Sequence, residues 1–137
     1  MIVDSSALVA IILREPGHES VLDALADAAT AGVGAPTLVE TGIVLTARLG
    51  LPGKTLLARL VQEADLTVIG FTADHWSAAV DAYNRFGNGR HAADLNFGDC
   101  LTYAVAKLAG QPVLCLGDDF AQTDLTVVPR GQRPERM

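Results

Sequence analysis

Four carboxylates are the side chains of this chain best placed to do chemistry together: Asp4, Glu40, Asp99 and one of the adjacent pair Asp118 and Asp119. An oxygen-rich site suits a hard cation such as Mg²⁺ or Mn²⁺. Like charges brought close raise one another's pKa and oppose folding unless a proton or a cation intervenes. Each acid also has a plainer role open to it. Thr37-x-x-Glu40 matches a helix capping box, and Asn96-x-x-Asp99 resembles one with Asp in place of Glu. Asp4 suits a helix start, and Asp118-Asp119 suits a turn. No serine–histidine–acid triad is readable, because His18, His75 and His91 lie in polar contexts that predict solvated rings.

The elements that must position these acids are short apolar runs separated by amphipathic segments. Strands are predicted at residues 1–4, 33–35, 66–71, 112–116 and 125–128. Ser5 and Ser6 supply N-cap chemistry for a helix through Leu13, and Pro16 fits the first turn of a second helix reaching Ala29. Thr37 opens a third over 38–49. Others follow at 52–65, at 73–86 behind a Thr72 cap, and at 97–109. This alternation predicts an α/β domain with a parallel sheet covered on both faces.

Strand C-terminal ends then share one edge, where ligands bind. Asp4 ends the first strand, Glu40 lies in the first turn after the second, and Asp118-Asp119 follow the fourth. Asp99 reaches the same edge because only Gly110-Gln111 joins its helix to the next strand, so that the two run antiparallel. The loop 87–96, spanning at most ~33 Å, is long enough to bring the chain back.

The 137 residues fit one domain, with about 129–137 as a polar tail carrying Arg130, Arg133 and Arg136. No cationic leader and no apolar run of ~20 residues is present, which predicts a cytoplasmic protein without membrane contact. Cys100 and Cys115 have no metal-ligand spacing and read as buried free thiols. Sixteen acidic against ten basic residues, a net charge of −6, argue against a nonspecific nucleic-acid binder working by bulk charge. Bound divalent cations would offset part of that balance. Arg14, Arg48, Lys54, Arg59 and Arg85 are scattered and predict solvated helix surfaces, whereas Trp76, Tyr83 and Phe86 predict core or interface. Arg90-His91 reads equally as an RNA contact or a plain basic loop.

These residues carry a resemblance. Met1-Ile2-Val3-Asp4-Ser5-Ser6-Ala7-Leu8, Leu38-Val39-Glu40, Leu95-Asn96-Phe97-Gly98-Asp99-Cys100 and Leu116-Gly117-Asp118-Asp119-Phe120 stand in that order, with Thr123-Asp124 after them. Together they resemble the motifs of PIN domains, specifically the VapC-type ribonuclease toxins of bacterial toxin–antitoxin pairs. Residues 50–85 match only in pattern. His91-Ala92-Ala93-Asp94 departs from the family, which usually has proline after the histidine and seldom an acid at Asp94.

The resemblance implies a three-layer α/β/α sandwich around a mostly parallel sheet and a Mg²⁺- or Mn²⁺-dependent endoribonuclease. It further implies inhibition by a VapB-type antitoxin, and a homodimer. It carries over Asp4, Glu40 and Asp99 as metal ligands, with Asp119 taken as the fourth acid rather than Asp118. In that chemistry Asp4 and Asp99 are the main ligands, while Glu40 and Asp119 complete the shell and Glu40 orients the attacking water. Hydrolysis leaves a 5′-phosphate and a 3′-hydroxyl. The rival from another class is a noncatalytic PIN-fold protein acting through its antitoxin complex. A dehalogenase-type phosphatase lacks its Asp-x-Asp-x-Thr here, and a receiver domain lacks its lysine after residues 112–116.

Overall fold

The structure is a computed structural model that describes residues 1–89 and 91–128. The Arg90 and polar-tail expectations therefore fall outside the described residues. Five strands, β1 (Ile2–Val3), β2 (Gly32–Gly34), β3 (Thr67–Ile69), β4 (Val113–Leu114) and β5 (Val127–Val128), form one sheet in the order β3-β2-β1-β4-β5. Every pairing is parallel, with Ile2 in register with Val113 and Val3 with Leu114.

Among the described residues six helices cover it: α1 (Ser5–Leu13), α2 (His18–Asp27), α3 (Ala35–Leu49), α4 (Pro52–Glu63), α5 (Ala73–Phe86) and α6 (Phe97–Ala109). The period-two alternation of the strands sorts side chains between two cores. Ile2, Val113 and Cys115 pack with α5 and α6, while Val3, Val33 and Leu114 pack with α1 to α4. Full burial of a side chain such as Leu114 contributes roughly 1.5–3 kcal/mol. The arrangement is the expected three-layer α/β/α sandwich.

Several helix starts differ from expectation. Asp4, rather than Ser5 or Ser6, caps α1. Helix α2 begins at His18, because Gly17 at φ 92° breaks the path from Pro16, and it ends before Ala28. Helix α3 begins at Ala35, two residues before Thr37: extended Gly34 serves as its cap and Pro36 occupies its first turn, where a missing N–H costs nothing.

Candidate active site

Strands β1 and β4 are neighbours at the point where the strand order reverses, the crevice at which open α/β sheets bind ligands. Asp4 leaves β1 there, 3% exposed. Its Oδ2 accepts the Ser6 N–H at 3.1 Å and the Ser6 hydroxyl at 2.7 Å, and its Oδ1 accepts the Thr102 hydroxyl at 2.7 Å. Ser6 Oγ in turn accepts the Leu116 N–H at 3.0 Å, tying the turn after β1 to the end of β4.

Asp99 lies in the first turn of α6. Asn96 Oδ1 accepts its N–H at 2.9 Å, and Asp99 Oδ2 accepts the Asn96 N–H at 3.0 Å, so the capping box of the plainer reading is formed. That box engages one carboxylate oxygen. Burial foremost, then the charges of Asp4, Asp119 and Glu40, push the Asp99 carboxyl up to about 6 against the Asn96 N–H, which lowers it.

Glu40 caps nothing. Its supposed partner Thr37 is buried within α3, its hydroxyl 3.3 Å from that of Thr102. Glu40 Oε1 is buried without a hydrogen-bond partner among the described residues. Burial and then Asp4 raise the pKa of this carboxyl, with the Ser5 hydroxyl opposing. Gly98 makes room for it: a Cβ there would lie 2.8 Å from Glu40 Cδ.

Asp119 opens the short 3₁₀ turn Phe120–Gln122, anchored by buried Phe120. Its pKa is raised by burial first, then by Asp4, Asp94 and Asp118. Of the adjacent pair, it is Asp119 whose charge acts on Asp99. Asp94 serves its own loop. At φ 55°, its Oδ1 accepts the Asn88 side-chain amide at 3.1 Å and the Gly89 N–H at 3.2 Å, stapling that loop together. Those two bonds hold its carboxyl below the usual range.

The four acids thus share one edge and feel one another. Among the described residues no three His, Cys, Asp or Glu side chains are drawn together in a ready-made metal cluster. The donor set nonetheless fits a hard cation. It is all oxygen, it is mutually repelling, and Glu40 Oε1 is an orphan that positive charge would satisfy. Mg²⁺ takes one or two carboxylates and keeps several waters, so a tight trio is not required.

The thiols stay out of the chemistry. Burial above all pushes Cys100 up to about 11 and Cys115 up to about 12, and both are free. The histidines are partly engaged: His75 Nδ1 accepts the Thr72 N–H at 3.0 Å, and His91 Nδ1 accepts the Ala93 N–H at 3.0 Å. Arg85 is no idle surface cation. Its guanidinium lies 4.6 Å over Phe86 and 3.5 Å from Asp124, which also accepts from Tyr103 at 2.7 Å and Lys107 at 2.9 Å. Phe86 is core and Trp76 is exposed.

The family model of the PIN domain matches residues 1–125. This chain is a PIN domain. Its sequence is 52% identical over 126 residues to ribonuclease VapC36 of Mycobacterium tuberculosis, covering 91% of each chain. The chain belongs with these VapC ribonucleases. Among solved structures, VapC20 of Mycobacterium tuberculosis, a sarcin–ricin loop cleaving toxin, shares the fold at TM-score 0.76 and 20% identity over 91% of this chain and 95% of that one. VapBC2 of Rickettsia felis, bound to promoter DNA, matches at TM-score 0.72 and 14% identity over 92% and 95%. All four acids of this PIN domain stand out in its sequence. Thr102 and Gly98 do not, although a threonine on the apolar face of α6 and a glycine in its first turn are the signals that point to them.

Two apolar recesses flank the acids along α3. One, of about 820 Å³, lies between α3 and α4 and is lined by Leu38, Ile43, Ala47, Lys54, Leu57 and Val61. The other, of about 740 Å³, runs from Glu40 and Gly98 over Val39, Phe71 and Phe97. No described helix is long and apolar enough to cross a membrane.

Proposed function

We propose that this PIN domain is a Mg²⁺- or Mn²⁺-dependent endoribonuclease toxin, with Asp4, Glu40, Asp99 and Asp119 holding the cation. The observation that carries the metal is the buried, unpartnered Glu40 Oε1, beside an Asp99 carboxyl raised by burial and by the neighbouring acids. The ribonuclease activity is supported by the VapC relatives. Presence of every acid favours an enzyme over a noncatalytic binding protein.

The chemistry a divalent cation supplies at such a site is a nucleophilic water at neutral pH and relief of charge on the phosphate. Asp4, fixed through both oxygens, presents a carboxylate that does not swing away. Asp99 has one oxygen committed to its cap and one to offer. Glu40 would orient the attacking water by accepting a hydrogen bond from it. Water would add to phosphorus as the bond to the 3′ oxygen breaks, and that oxygen would take a proton from solvent, which gives a 3′-hydroxyl and a 5′-phosphate.

Total RNA incubated with purified protein is expected to give discrete products with Mg²⁺ or Mn²⁺. They should vanish with chelator and with Asp4→Asn; cleavage that persists in both would remove the metal reading. Because Asp99 takes up its proton near pH 6, cation affinity should weaken about tenfold per unit below that pH. Calorimetric titration between pH 5 and 8 reads this, and a flat profile would contradict it.

The cleft between α3 and α4 suits the apolar face of a helix, and we assign it to a VapB-type antitoxin, as some of the structural neighbours are toxin–antitoxin complexes. Exposed Phe97 and Trp76 are assigned to self-association as a homodimer. Its buried free thiols suit the reducing cytoplasm. Ala47→Glu should weaken antitoxin binding at least about tenfold while cleavage is unchanged; undiminished binding would move the antitoxin elsewhere.

A further inference from the structure

The buried polar side chains of the described residues are Asp4, Thr37, Thr41 and Thr102. Three of the four form a chain: Thr37 Oγ1 lies 3.3 Å from Thr102 Oγ1, which lies 2.7 Å from Asp4 Oδ1. Thr41 is accounted for separately, its hydroxyl donating to the Thr37 carbonyl at 2.7 Å. Valine would fill the sites of Thr37 and Thr102 with nearly the same volume and no polar group to satisfy, so the hydroxyls call for an explanation. A hydroxyl carries one proton. Thr102 gives its proton to the carboxylate and therefore accepts from Thr37, and the chain has one direction, toward Asp4.

The placement explains why it should be there. Thr37 lies one helical turn before Glu40 on α3, and Thr102 one turn after Asp99 on α6. The two hydroxyls meet where those helices pack on each other, directly behind Asp4. Rotation about the terminal bond of an aspartate is otherwise soft. Thr102 holds one oxygen and Ser6 the other, so the carboxylate plane is set from α6 on one side and α1 on the other.

We propose that Thr102, oriented by Thr37, is a positioning residue that sets the Asp4 carboxylate and thereby the cation affinity of the site. The proposal rests on the metal reading above and concerns residues that touch neither substrate nor cation. Partners behind a ligating group typically contribute about 10–100-fold to metal affinity.

The test is Mn²⁺ binding without RNA, followed by electron paramagnetic resonance of the free ion and by calorimetry. Thr102→Val should bind Mn²⁺ about tenfold more weakly than the wild type, and Thr102→Ser, which keeps the hydroxyl, should remain within about twofold. Wild-type affinity in Thr102→Val overturns the proposal, as does a serine variant as weak as the valine one. If Thr102→Val does not fold, Thr37→Val carries the comparison: about threefold weaker binding is expected, and unchanged binding overturns it. A wild-type protein that takes up no Mn²⁺ overturns the metal reading and this inference with it. Binding by wild type that is equal in both threonine variants overturns the inference alone.

Discussion

Asp99→Asn will abolish RNA cleavage and, in the same protein without metal, raise the melting temperature. On the proposed metal reading, loss of this carboxylate removes several kcal/mol of charge stabilisation, a fall in rate of about a thousandfold or more. The gain in stability follows from the carboxyl standing at about 6 in place of its ordinary 3.8, burial being the first cause. Below pH ~4 it is protonated in the folded and the unfolded chain alike and costs nothing. As pH rises toward 6 the unfolded chain releases this proton while the folded chain holds it, so stability falls. Above 6 the burden is complete. Asparagine never ionises, and its amide oxygen keeps accepting the Asn96 N–H. Screening at this partly exposed site leaves a gain of about 1 kcal/mol, or about 3–5 °C. Calorimetric scans in chelator should show the variant above wild type at pH 7.5 and level with it at pH 4. A lower melting temperature at pH 7.5 would take Asp99 out of the crowd.

Gly98→Ala should cut cleavage about a hundredfold while scarcely moving the melting temperature. The added methyl would sit 2.8 Å from Glu40 Cδ, and what it meets is the free end of a flexible side chain. The carboxylate can step aside at little cost to the fold, but displacement of about an ångström at reacting groups costs about 10² in rate. Gly53→Ala is the contrast. Its methyl would lie 2.7 Å from the Leu45 backbone carbon, where α4 crosses α3, and backbone cannot yield. That variant should lose about 1–3 kcal/mol of stability. Rate measurements and melting curves on both proteins separate the two effects. Full activity in Gly98→Ala would show that Glu40 needs no such room.

The strands were legible because each is a short apolar stretch, those of β1 to β4 closed by an acid or a glycine, and all five overlap the segments where the pattern puts them. The helix starts were less so, and the reasons are local. Thr-x-x-Glu has the same spacing whether the threonine faces the helix end or the core, and at Thr37 the core won: Thr102 is its partner. Pro16 and Pro36 carry the same preference for a first helical turn, yet Pro36 stands two residues after a capping glycine in extended conformation, whereas Pro16 is followed by Gly17 in the left-handed region. In the site, the acids were visible as charged residues at a strand end, in the turn after a strand and near the starts of two helices. What holds them was not. The Thr102 contact spans 98 positions and Gly98 acts by lacking a side chain, and neither leaves a periodic trace.

The strand order also bears on how such a protein comes into being. β1, made first, takes β4 as its second neighbour, and β4 lies more than a hundred residues later in the chain, with Asp119 later still. A nascent chain emerging N-terminus first can pair β1, β2 and β3, but one flank of the strand leading to Asp4 stays open until residues 113 and 114 arrive. Asp4 and Asp119 can be brought to one edge only after β4 has taken its place beside β1. A chain built this way carries no complete set of the four acids, and β1 lacks its second neighbour, until β4 and the turn after it have been made.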